Sequence, residues 1–125
     1  MTTDDESTSP QESAANLEAR IGNIESTIRT AQNIPADRQA ELLEMIAGLK
    51  SELANLATTH HEEAASITRF VEASAHEASR SRKNPELADT AVSGLRLSIQ
   101  GLEESHPITV GIVNRFATAL SNMGL

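Results

Sequence analysis

Residues 14–57 read AANLEARIGNIESTIRTAQNIPADRQAELLEMIAGLKSELANLA, and one spacing rule runs through almost all of them. Ala14, Leu17, Ile21, Ile24, Ile28 and Ala31 recur at alternating steps of three and four. That is the a/d stripe of a heptad pattern, narrow enough for an antiparallel helix pair or a coiled coil. Gly22 lies inside it and costs about 1 kcal/mol relative to Ala, so packing against a partner must supply the stability. The pattern predicts a helix over residues 13–32. Asn33-Ile34-Pro35-Ala36-Asp37 then breaks the period, because the residue before a proline is pushed out of the α region while proline suits a helix's first turn. From there Leu42, Ile46, Leu49, Leu53 and Leu56 form a second stripe, widened by Leu43 and Met45. Two striped helices joined by a short connection predict a helical hairpin over 14–57.

Working toward the C-terminus, no Gly or Pro interrupts residues 49–84, which predicts that the second helix runs on, to a length of about 65 Å. Keeping the seam in phase would turn His60 and Glu63 inward. A shift at Leu53–Ala57 selects Ala57, His60, Ala64, Ile67, Val71, Ser74 and Ala78 instead, a stutter in the heptad. Thr58-Thr59-His60-His61 is the expected place for a kink or break. Residues 58–84 therefore form an Ala/Ser/His-rich helical extension that closes on Arg80, Arg82 and Lys83, cations suited to a helix C-terminus. Asn84-Pro85-Glu86 has the chemistry of N-cap, N1 and N2. It opens a helix carrying Ala88, Ala91 or Val92, Leu95, Ile99 and Leu102, expected to stop near Ser105-His106-Pro107. A last helix is expected from Pro107 to Asn122, striped by Val113, Phe116, Leu120 and Met123, with Gly124 at its C′ position. Residues 85–125 thus read as a C-terminal helix pair. Only the β-branched run Ile108–Val113 carries any strand character. The expected fold is all-α: a coiled-coil-like antiparallel hairpin, a long second helix, and two shorter helices.

Working toward the N-terminus, MTTDDESTSPQES holds four acids, no base and no apolar residue after Met1. Residues 1–13 are expected to be a disordered acidic tail, whose roles would be solvation or docking on a basic surface. They contain no apolar h-region, so no secretory signal is expected, and no stretch is apolar enough to span a membrane. The expected compartment is the cytoplasm.

Composition removes further classes. The 125 residues contain no Cys, Trp or Tyr, so disulfides, thiolate chemistry and cysteine-bound zinc are excluded. A net charge of −8 with only two aromatic residues disfavours nucleic acid and membrane surfaces. The six Gly are scattered and form no phosphate-binding loop, and no Ser lies in a nucleophile elbow. No catalytic residue and no cofactor is expected.

The C-terminal stretches Leu102-Glu-Glu-Ser-His-Pro107 and Phe116-Ala-Thr-Ala-Leu-Ser-Asn-Met-Gly-Leu125 resemble the end of the bacterial domain-of-unknown-function family numbered 4404. Its members pair an acidic residue before His-Pro with an amphipathic helix and a terminal Leu-x-x-Met/Ala-Gly-Ile/Leu. The generic helical hairpin over 16–57 is similar too, whereas the segment around 58–84 is an addition to the family pattern. The resemblance implies a small bacterial cytoplasmic helical protein of no established activity, and it supplies no site residues.

The ligand-type residues gather in His60, His61, Glu62, Glu63, Glu72, His76 and Glu77. On a continuous helix Glu72 and His76 share a face, as do His60 and Glu63, so a metal site built on His60, Glu63, Glu72 and His76 is one expectation. A di-iron bundle fails on ligand count, because Glu103-x-x-His106 is the sole Glu-x-x-His and ends against Pro107. Solvated faces with i, i+4 Glu–His pairs explain the same residues more simply. Ser105 or His106 is expected to cap the last helix. Gly94 and Gly101, seven apart, would allow close helix approach on one face.

The preferred expectation is a non-enzymatic interaction, scaffold or accessory protein acting as a homo-oligomer, with a dimer favoured. Thin seams leave apolar surface for a second copy to bury, and Ile67, Phe70 and Val71 are the candidate partner-facing patch, Phe70 its largest anchor. The alternative is a metal-binding helical protein using the His60–Glu63, Glu72 and His76 cluster.

Overall fold

The computed structural model describes residues 10–123, and every regular element in that range is an α-helix. They are α1 (Pro10–Thr30), α2 (Ala36–Thr59), α3 (His61–Ser79), α4 (Pro85–Leu97) and α5 (Pro107–Asn122). Heptad stripes become buried faces: Leu17, Ile21, Ile24 and Ile28 of α1 and Leu42, Ile46, Leu49 and Leu53 of α2 all lie in one core. The run Ile108–Val113 is helical as well. Pro107 at its start fixes φ for the first turn, and Ile112 and Val113 are buried there.

α1 begins at Pro10, earlier than the heptad stripe suggests, so residues 10–13 of the expected tail are helical. Proline, Gln11 and Glu12 all suit a first helical turn, where the dipole favours an acid. Residues 1–9, Gly124 and Leu125 lie outside the described residues. Between α1 and α2, Gln39 donates its side-chain amide to the carbonyls of Ala31 (2.6 Å) and Ile34 (3.0 Å). The connection is thereby tied to α2 without any side-chain N-cap.

The expected long second helix is two helices, and the break falls within the Thr58–His61 stretch expected to kink. His60, with φ −135° and ψ 61°, ends α2 and starts α3 with no other residue between them. The shifted register nevertheless describes the interior: Ala57, Ala64, Ile67, Val71, Ser74 and Ala78 are all buried. A stutter in a supercoil and a corner in a bundle share that register. The corner prevails because Ala- and Ser-rich faces let α3 fold back close against α2 and α1, burying more surface than an isolated rod would.

α4 is also shorter than the stripe suggests. Asn84 Oδ1 accepts from the Leu87 backbone N–H (3.1 Å) and Pro85 holds N1, as read from the sequence. The helix stops at Leu97, and Gly101 sits at φ +90°, a left-handed conformation that no helix interior contains. Ile99 and Leu102 still reach the core, from the α4–α5 connection rather than from a helix.

α1 packs against α2 and α3, while α2–α3, α3–α4, α4–α5 and α2–α5 contacts close the other four helices into a ring. Asn33, beside the start of α2, donates to the Ala78 and Arg80 carbonyls at the end of α3. His60 at the α2–α3 corner meets His106 at the start of α5. So α3 runs back along α2, and α5 runs against α2 as well. The centre of the ring holds Leu49, Leu56, Ile67, Val71, Leu95, Phe116 and Leu120, each essentially inaccessible to solvent. Each such side chain contributes about 1.5–3 kcal/mol by leaving water. Among the described residues no helix is long and apolar enough to cross a membrane.

Candidate functional site

Two helix junctions meet at one end of the bundle. His106 occupies the N-cap of α5 with φ −138° and ψ 60°, nearly the backbone conformation of His60. Neither imidazole bonds to the helix it precedes, so the capping expected of His106 is positional only. The two half-buried rings face each other edge to face instead, with centroids 5.2 Å apart and planes at 80°. His60 Nδ1 lies 2.9 Å from the Thr59 hydroxyl, which fixes that ring's orientation. Around this junction His61, Glu62 and Glu63 are exposed. Glu62, Glu63, Ser66 and Ser98 line an open depression of about 220 Å³, so the end of α4 reaches the start of α3.

Leu97, the last residue of α4, and Ile108, the second of α5, belong to the same end of the molecule and are 62% and 64% exposed. Both fall off the buried stripes of their helices, a signal present in the sequence but overshadowed by Phe70.

The expected partner-facing patch lies elsewhere than on the surface. Ile67 and Val71 are fully buried, and Phe70 is half-buried against the core, its ring laid over Gly94 of α4. The heptad pattern marks these positions as apolar seam but cannot show that α4 of the same chain returns to cover them.

The expected metal ligands are also dispersed. Glu72 is engaged by Arg20 of α1, which donates Nε (3.0 Å) and Nη2 (2.7 Å) to its two oxygens. That hydrogen bonding to Glu72, against some desolvation, holds the Arg20 guanidinium above its ordinary pKa. His76 is exposed, Glu63 is exposed nine residues before Glu72, and His60 is occupied at the corner. Nine residues of helix separate Glu63 from Glu72 by about 13 Å along the axis, too far for one ion. Among the described residues no group of three or more His, Asp or Glu side chains is placed to hold a metal. The four-residue metal site expected from the sequence is therefore not assembled.

The opposite end carries an open polar depression of about 600 Å³ with Thr27, Thr30, Asn33, Ser79 and Ser81 on its walls. Asn33 on its wall serves the fold by donating to the Ala78 and Arg80 carbonyls, and nearby Lys83 Nζ adds a bond to the Ala78 carbonyl. These bonds satisfy the orphan acceptors of a helix C-terminus. No family model, no curated protein and no solved structure matches this chain.

Proposed function

We propose that the chain is a non-enzymatic helical interaction protein, a scaffold or accessory subunit of the cytoplasm that works as a homodimer. The observation that supports this most directly is the pair Leu97 and Ile108, both more than 60% exposed at the end where α4 stops and α5 starts. An otherwise well-buried core makes that exposure stand out. Its contact surface lies at this end of α4 and α5, not at Ile67, Phe70 and Val71. On the same reading α1 and α2 are an antiparallel, coiled-coil-like hairpin, a view supported by their facing buried stripes and by Lys50 Nζ standing 3.7 Å from Glu25.

Size-exclusion chromatography with light scattering tests the proposal. The wild-type chain is expected at twice its monomer mass, and Leu97→Glu together with Ile108→Glu is expected to give a monomer of unchanged helicity. A wild-type chain that stays monomeric at high concentration overturns it.

A further inference from the structure

We infer that His60 and His106 form a two-imidazole site for a borderline divalent transition ion such as Zn²⁺ or Ni²⁺, clamping the α2–α3 corner to the start of α5. It is a different site from the dispersed Glu72 and His76 cluster.

Three observations carry it. The first is separation. A metal–nitrogen bond of about 2.0–2.1 Å, directed along each ring and opened to a tetrahedral angle, places two imidazole centres about 5 Å apart. The observed centroid distance is 5.2 Å. The second is orientation. In the tautomer whose Nδ1–H donates to the Thr59 hydroxyl across 2.9 Å, the His60 Nε2 lone pair is open to a metal, as in metal-binding histidines whose other nitrogen is anchored. His106 makes no side-chain cap bond that would hold it back. From the observed arrangement, with ring planes at 80°, sharing one ion requires the His106 side chain to re-aim its Nε2, and its χ2 is a broad torsion. The third is chemistry. Imidazole selects Zn²⁺, Ni²⁺ and Cu²⁺ over Mg²⁺ and Ca²⁺. The chain's net charge of −8 and the flanking acids Glu62, Glu63, Glu103 and Glu104 favour a cation there. Water completes the coordination, so the site is an accessible one of moderate affinity. Its ligands come together only in the folded chain, and occupancy must therefore stabilise the fold.

The test is thermal unfolding of the full, untagged chain, followed by circular dichroism, with Zn²⁺, Ni²⁺ or Mg²⁺ and then excess chelator. Zn²⁺ and Ni²⁺ are expected to raise the Tm by a few degrees, reversibly, while Mg²⁺ does not. The rise should vanish in His60→Gln and in His106→Gln, and persist in His61→Gln and His76→Gln. No rise, or a rise that survives both of the first two substitutions or is lost only with His61, overturns the proposal. Should either variant fail to fold, substoichiometric Ni²⁺ added to the wild-type chain gives a second readout. The ring proton resonances of His60 and His106 should broaden first and together. Broadening led by His61 or His76 overturns the site.

Discussion

Gly94 and Gly22 are both helical glycines, yet the structure gives them opposite roles. A methyl group at Gly94 would collide with the Phe70 ring, whereas one at Gly22 would meet nothing within 4 Å. Gly94→Ala is expected to destabilise the chain by about 1–3 kcal/mol through overpacking, less the gain in helix propensity. Gly22→Ala should stabilise it by about 0.5–1 kcal/mol. Urea unfolding of the two variants measures both, and a Phe70→Leu background should shrink the first penalty. The sequence marks Gly94 and Gly101 as one packing face by their spacing of seven. Gly94 does serve close approach, but Gly101 lies in a turn at φ +90°, where its spacing from Gly94 has no helical meaning. Phe70 is equally instructive. Its size marks it as an anchor, and only the return of α4 reveals that it anchors the chain to itself.

At the scale of helices, α1 is held to α3 by the bidentate Arg20–Glu72 pair as well as by its apolar stripe. The two side chains keep 27% and 36% of their surface exposed, so solvent screens the pair and its worth is modest. A double-mutant cycle with Arg20→Gln and Glu72→Gln should return a coupling of about 0.5–1 kcal/mol that falls in high salt. The raised Arg20 pKa carries its own sign. It contributes stability present below the unfolded value and lost as pH rises through the folded one. Both lie in strongly alkaline solution, so the Arg20 contribution should be flat around neutrality. Periodicity made the buried faces of α2 and α3 legible, and Asn84-Pro85 made the start of α4 legible. Thr58-Thr59-His60-His61 marks the place of the break, but the fold-back of α3 from His60 and the end of α4 depend on tertiary closure, which no local pattern encodes. The meeting of His60 with His106 is illegible for the same reason: it joins two junctions that only the bundle brings together.

For the whole molecule, α2 and α3 are the shared walls, each packed against three other helices. Amide hydrogen exchange should therefore be slowest from Ile46 to Leu56 and from Ala64 to Ala75, with α1 and α4 exchanging sooner. Mass spectrometry of exchanged peptides checks the order, and equal protection of all five helices would contradict it. The low content of large apolar residues, with only two Phe, sets the scale of this core. Thin stripes suggested seams awaiting a second chain. Five helices close most of them within one chain, using Ala and Gly where backbones approach and leaving Leu97 and Ile108 as the larger exposed remainder.

The corner at His60 limits how the length of this chain can vary. Inserting one residue there would rotate α3 by about 100° and move every side chain along by one slot. Glu63 and Glu77 would then take the buried places of Ala64 and Ala78, and Ser66 that of Ile67. The connections at 80–84 and 98–106 have slack to absorb a gained or lost residue, whereas at 59–61 a change in length becomes a change in what the core is made of.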